Sequence, residues 1–237
     1  MEQTPPPDDA PTGPVAREHH ITISRSARYL VLGEPSAEVR SVWIALHGYG
    51  QLAARFARHC APLAAPHRLV VVPEALSRFY VEPASGGSHA RARVGATWMT
   101  REDRLAEISD YVAYLDRVHA RVVEELGGTP TLHLLGFSQG AATAARWTAF
   151  GETRPDSLIL WGGLVPDDLG PATLGESLGS TRVTFVVGDA DALRSEELVQ
   201  AQLTRLRDAG LEPRVVTHPG GHHLDGDVLR ALAAELP

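Results

Sequence analysis

Short, nearly continuous apolar runs recur along the chain, and between them lie stretches whose apolar residues return every three to four positions. Ser41 to Leu46 (SVWIAL), Arg68 to Val72, Thr131 to Phe137, Ser157 to Trp161 (SLILW) and Arg182 to Val187 (RVTFVV) are the apolar runs. Such runs predict strands covered on both faces. The helical stretches are about Leu52 to Ala64, a short one near Ala172 to Leu178, Glu196 to Ala209 and Asp227 to Leu236. A longer one carries Leu105, Ile108, Val112, Leu115, Val122 and Leu126, opens on a capping box of Thr100 and Asp103, and stops at Gly127-Gly128. Pro213 to Thr217 reads as a last strand. His20 to Ser24 and Arg28 to Leu32 alternate apolar and polar residues around Ser26-Ala27, which predicts an antiparallel hairpin at a sheet edge. Strands alternating with helices, without internal repeats, predict an α/β fold with a mostly parallel, doubly wound sheet and helices on both faces. Residues 73–100 break the pattern and are expected to be irregular, of a length that is usually functional or mobile.

Composition narrows this picture. At 237 residues and 43% hydrophobic content, the chain supports one substantial core, expected over residues 19–237. Residues 1–18, rich in Pro and Asp, are expected to be a flexible tail without the basic start and apolar run of a secretory signal. A formal charge of −7 argues against a nucleic-acid or stable membrane partner. Cys60, the single cysteine, has no partner for an internal disulfide and is expected to be inert. No apolar stretch reaches the roughly 18 residues of a membrane span. A cytoplasmic protein with a small-molecule partner is the expectation.

The chemistry concentrates just after strands, where ligands of doubly wound sheets bind. The run Thr131 to Phe137 leads into Gly136-Phe137-Ser138-Gln139-Gly140 and then Ala141-Ala142-Thr143-Ala144-Ala145. Strand, Gly-x-Ser-x-Gly and a helix of small residues make the context of a nucleophile elbow. It holds a serine on a strained turn at a helix N-terminus, where developing negative charge is favoured. After Val187 comes Gly188-Asp189-Ala190-Asp191, and after Thr217 comes His218-Pro219-Gly220-Gly221-His222-His223. A serine needs a base within reach and a carboxylate to orient that base. The order Ser, Asp, His along the chain is the one found in α/β-hydrolases.

With these motifs the chain resembles the phospholipase/carboxylesterase family of α/β-hydrolases, small serine esterases with no large cap domain. Leu46-His47-Gly48-Tyr49-Gly50, Gly136-Phe137-Ser138-Gln139-Gly140, Gly188-x-x-Asp191 and Gly220-Gly221-His222 carry the resemblance, over about residues 40 to 230. It implies Ser138 as nucleophile, Asp191 as acid, His222 as base, and an oxyanion hole from the main-chain N–H groups of Tyr49 and Gln139. It further implies hydrolysis of short- to medium-chain carboxylic esters through an acyl-enzyme, without cofactor or metal. Thioester, lysophospholipid or polyester hydrolysis would use the same triad.

Other residues compete for these roles. Asp189 is the rival acid and His223 the rival base; the Gly-Gly pair before His222 favours His222, because it lets the loop approach Ser138. His218 reads as a strand-end hydrogen-bonding residue and His47 as the orderer of its own loop. Within 73–100, Phe79, Tyr80, Trp98 and Met99 are candidate pocket walls, as is Trp161 after its central strand, with anchoring to the core as the competing role for the aromatics. Arg91 and Arg93 are candidates for an anionic substrate group or simply solvated arginines. His218, His222, His223, Asp225 and Asp227 contain metal-ligand types, but the triad accounts for His222 without a metal. A hydrolase-fold protein that binds without turnover would need no intact set of nucleophile, acid and base.

Overall fold

The computed structural model describes residues 16–82 and 92–236. Nine strands and six α-helices follow one another among these residues: β1 Tyr29–Leu32, β2 Ser41–Leu46, α1 Ala53–Cys60, β3 Arg68–Pro73, β4 Ser77–Tyr80, β5 Val94–Thr97, α2 Arg104–Leu126, β6 Thr131–Phe137, α3 Gln139–Phe150, β7 Ser157–Trp161, α4 Pro171–Leu178, β8 Arg182–Gly188, α5 Glu196–Asp208, β9 Arg214–His218 and α6 Gly226–Glu235. Seven strands form one sheet in the order β1-β3-β2-β6-β7-β8-β9, parallel throughout except for β1.

The apolar runs are continuous because each strand feeds two cores. Val42, Ile44 and Leu46 face a layer with Leu132, Leu134, Leu158, Leu160 and the inner sides of α2, α3, α4 and α5. Trp43 and Ala45 face the opposite layer, with Val70, Val72, Leu135, Ile159, Trp161, α1 and α6. Period-2 alternation thus sorts adjacent residues into different cores. The whole of β2 and β3 is buried. This is the α/β-hydrolase architecture.

Three expectations need correction. Residues His20 to Ser24 form no strand; Arg28 to Leu32 does supply an edge strand, but β1 pairs antiparallel with β3, Tyr29 opposite Pro73 and Leu32 opposite Val70. The remote strand offers a buried apolar edge, which a local hairpin partner with exposed Ile21 and Ile23 does not. Residues 73–100 are not structureless, since β4 and β5 pair antiparallel, Ser77 opposite Thr97 and Tyr80 opposite Val94. The expected tail, up to residue 15, and Arg91 lie outside the described residues. Thr100 does not cap α2: Asp103 stands at the N-cap with φ 44° and no side-chain cap bond. Instead Glu107 Oε2 accepts the Thr100 N–H at 2.6 Å. Leu105 is largely exposed, so the buried stripe of α2 begins at Ile108.

Candidate active site

The carboxyl ends of β2, β6, β7, β8 and β9 lie side by side in the sheet, and the loops leaving them build one site. Ser138 sits between β6 and α3 with φ 54° and ψ −116°, a positive-φ conformation costing about 1–3 kcal/mol for a residue with a side chain. Two glycines make this turn possible. A Cβ on Gly136 would stand 2.4 Å from Gly140 O, and one on Gly140 would stand 2.2 Å from Leu46 O. The turn is fastened by the Ser138 N–H donating to Trp161 O at 2.9 Å and the Ala141 N–H donating to Ser138 O at 3.0 Å.

Asp191 follows β8 and His222 follows β9. His222 Nδ1 lies 2.7 Å from Asp191 Oδ2, and the Asp191 side chain is fully buried. The second oxygen, Oδ1, accepts the Leu193 N–H at 2.9 Å. Facing a carboxylate, Nδ1 carries the proton and Nε2 is left as the basic nitrogen. The His222 ring packs on Phe137, centroids 4.9 Å apart, beside the serine. Gly162, with φ 55°, leaves room for this pair: its Cβ would meet His222 Cε1 at 3.0 Å and Asp191 Oδ2 at 3.4 Å. Asp189 is exposed on the same loop, with its main chain, not its carboxylate, bonded to His218 O. His223 is exposed, and its carbonyl receives Trp161 Nε1–H at 2.9 Å.

The loop after β2 is held rigid from several sides. His47 is fully buried; its Nδ1 donates to Gly48 O at 2.8 Å and its Nε2 accepts the Ala75 N–H at 3.1 Å. Burial pushes its pKa down, with the Gly48 bond opposing, and the two contacts suit the neutral ring. The Gly48 N–H donates to Gln51 Oε1 at 2.8 Å and the Gly50 N–H to Ala96 O at 2.9 Å. Between them the Tyr49 N–H has no acceptor among the described residues. The Gln139 N–H, in the first turn of α3, lies where helix donors lack intrahelical partners.

The side chain of Gln139 ties the elbow to the segment after β5. Its Oε1 accepts the Trp98 N–H at 3.1 Å, and its Nε2 donates to Met99 O at 2.8 Å and to Thr97 Oγ1 at 3.0 Å. Trp98 is 2% exposed, donates from Nε1 to His47 O at 2.8 Å and packs on the His47 ring. Trp161 is 1% exposed with its indole N–H also spent on main chain. Both tryptophans therefore anchor loops to the core. Phe79 is half-buried, with its ring 5.1 Å from that of Tyr49; Tyr80 is exposed, and Met99 Sδ lies 3.4 Å from Arg146 Nη1. Arg93 pairs with Glu82 across a half-exposed surface. Cys60 is buried, its thiol pushed up to about 12 by burial.

Sequence reasoning considered Gly162 and Thr97 only as pocket walls and passed over Glu74 altogether. Glu74, its side chain fully buried, receives Arg28 at both oxygens, Arg78 Nε, and the Ala53 N–H that opens α1. Its neighbour Ala75 holds His47. None of these partners is near in sequence except Arg78, so no local pattern marks them.

A serine on a strained elbow, a histidine bonded to a buried aspartate on adjacent loops, and a mostly parallel seven-stranded sheet define a serine hydrolase of the α/β-hydrolase class. The pattern of the serine hydrolase (FSH1) family matches residues 41–224, and the chain belongs to that family. No curated protein matches the chain in sequence. Similar solved structures share the fold. They include esterase PE8, 24% identical over 90% of this chain and 98% of its own, TM-score 0.66. A carboxylesterase from Mesorhizobium loti is 20% identical over 88% and 94%, TM-score 0.64. A phospholipase/carboxylesterase from Dyadobacter fermentans is 18% identical over 91% and 98%, TM-score 0.59. Among the described residues no helix is long and apolar enough to cross a membrane.

Proposed function

We propose that the protein hydrolyses short- to medium-chain carboxylic esters through an acyl-enzyme, with Ser138 as nucleophile, His222 as general base and Asp191 as the acid that orients it. The observation that carries this reading is the 2.7 Å contact of His222 Nδ1 with buried Asp191, beside a serine at positive φ. Ser138 Oγ attacks the ester carbonyl as His222 Nε2 takes its proton. The carbonyl oxygen becomes an oxyanion, which the N–H groups of Tyr49 and Gln139 receive. Among the described residues neither N–H has a protein acceptor to give up, so both are available when charge develops. His222 then returns the proton to the leaving alkoxide, the C–O bond breaks and the acyl-enzyme forms. Water, deprotonated by the same Nε2, attacks it, and collapse releases the acid and regenerates Ser138. No metal or cofactor enters any step.

The test is p-nitrophenyl ester hydrolysis across a chain-length series, in buffer containing a chelator. The unmodified protein should turn over the short and medium esters, and Ser138→Ala should lose about 10⁴-fold or more in kcat. Equal trace rates for both proteins would remove Ser138 as nucleophile. Faster turnover of acyl thioesters than of the matching oxygen esters would keep the triad and change the substrate class.

A further inference from the structure

The loop that brings His222 to its place carries a second cluster, which the ester chemistry leaves unused. β9 ends in His218, and Pro219 to Asp225 lead into α6. His218, His223 and Asp225 each bring one ligand-type atom within 4.8 Å of the other two. The imidazoles of His218 and His223 meet edge to face, centroids 5.4 Å apart. Gly220 is what lets them meet, since a Cβ there would stand 2.7 Å from His223 Nε2 and 2.8 Å from His218 Nδ1.

Two observations argue that this is more than crowding. His218 is 2% exposed, yet its Nε2 has no hydrogen-bond partner among the described residues, and its Nδ1 receives only the Gly220 N–H at 3.2 Å. A buried polar ring left so poorly satisfied is costly unless something else binds it. Asp225, for its part, uses only Oδ1 to cap α6, accepting the N–H groups of Asp227 at 2.9 Å and Val228 at 3.0 Å. Among the described residues its Oδ2 accepts no hydrogen bond, which leaves it to a cation.

We propose that His218, His223 and Asp225 form a binding site for a divalent transition cation of the Zn²⁺ type, distinct from the catalytic residues. Two imidazole nitrogens and one carboxylate oxygen are ligands that Zn²⁺ takes at about 2.0–2.2 Å, with water as the fourth. Tetrahedral ligation at that length sets ligand atoms about 3.3 Å apart, so the cluster contracts on binding. The exposed His223 side chain, on a loop with two glycines, supplies that movement. Bound metal would tie the end of β9 to the start of α6 and so clamp the loop that holds His222, whose own Nδ1 is taken by Asp191.

The experiment uses the full-length chain without an affinity tag, stripped with a chelator and titrated with Co²⁺ and Zn²⁺. Co²⁺ should give a visible ligand-field absorption that Zn²⁺ displaces, and Zn²⁺ at a hundredfold above half-saturation should raise Tm by about 5–10 °C. His223→Ala and Asp225→Asn should each weaken Zn²⁺ binding at least about tenfold. The asparagine keeps the capping oxygen, so equal Tm of the stripped variant and parent shows that the fold is intact. His222→Ala should leave the affinity unchanged. The proposal is overturned by no response at millimolar Zn²⁺, by full affinity in either ligand variant, or by loss of binding in His222→Ala, which would put the metal on the catalytic histidine.

Discussion

Gly162 illustrates how much one position decides at the scale of the residue. Its φ of 55° is strained for any residue with a side chain, and a Cβ would stand 3.0 Å from His222 Cε1 and 3.1 Å from Nδ1. Gly162→Ala should push His222 off Asp191 and lower kcat by about 10²-fold, the cost of misplacing a catalytic group by roughly 1 Å. Tm should fall by only a few degrees; unchanged kcat would show that the pair tolerates the crowding. Asp191 and Asp189 make the complementary comparison. Asp191→Asn should cost about 10⁴-fold in kcat because the amide favours the wrong imidazole tautomer. Asp189→Asn should leave kcat within about twofold, since its carboxylate is exposed and, among the described residues, makes no hydrogen bond to Ser138, Asp191 or His222. Equal losses in both would mean that the acid has been misassigned. That Ser138, Asp191 and His222 each follow a strand was legible in the sequence because each lies within a short motif; Gly162 follows β7 too, but nothing in Trp161-Gly162-Gly163 says which loop it must clear.

At the scale of the element, the segment from β4 to the start of α2 fastens the loop after β2 to the elbow. Ala96 O accepts the Gly50 N–H and the Ala96 N–H donates to Gln51 O, Trp98 reaches His47 O, and the Gln139 amide closes the link to Thr97, Trp98 and Met99. Gln139→Leu removes only the side chain and keeps the main-chain N–H. It should lower kcat about tenfold with little change in KM, because the donors lose alignment without being lost. Tm should also fall by a few degrees, since Met99 O and the Trp98 N–H lose buried partners. An unchanged kcat with lowered Tm would reduce the clamp to a stabilising contact. Residues 77–80 and 94–97 lacked a visible strand pattern because each strand is four residues long and their pairing spans the intervening segment. The edge strand β1 was visible, but not its partner: alternation marks a strand's faces and says nothing of which strand lies beside it.

For the whole molecule, the ion cluster around the buried Glu74 carboxylate links the sheet edge, α1 and the loop after β2. Burial opposes ionisation of Glu74, but the bonds from Arg28 and Arg78 outweigh it and hold its pKa below the usual carboxylate value. A carboxylate depressed on folding contributes stability that is complete above its unfolded pKa and is lost as pH falls through its folded one. Asp168, whose carboxylate is held down by Arg146 and Arg104 against its own burial, acts in the same sense. Thermal unfolding should therefore show Tm dropping as pH falls below about 4.3, and Glu74→Gln should drop less steeply from a lower starting value. Parallel pH curves for the two proteins would show that Glu74 is not linked to folding. The sequence by itself determined the alternation of strands and helices, the two-faced burial of the sheet, and the loops on which serine, aspartate and histidine stand. These are set by the spacing of apolar residues and by motifs a few residues long, and both are local. Tertiary structure alone decided that β1 joins β3, that Trp98 and Trp161 serve as anchors, that Glu74 gathers two arginines beside the residue that holds His47, and that His218 meets His223 over Gly220. Each of those depends on which remote segments approach to within a few ångströms, a choice made by packing the chain as a whole and carried by no single stretch of it.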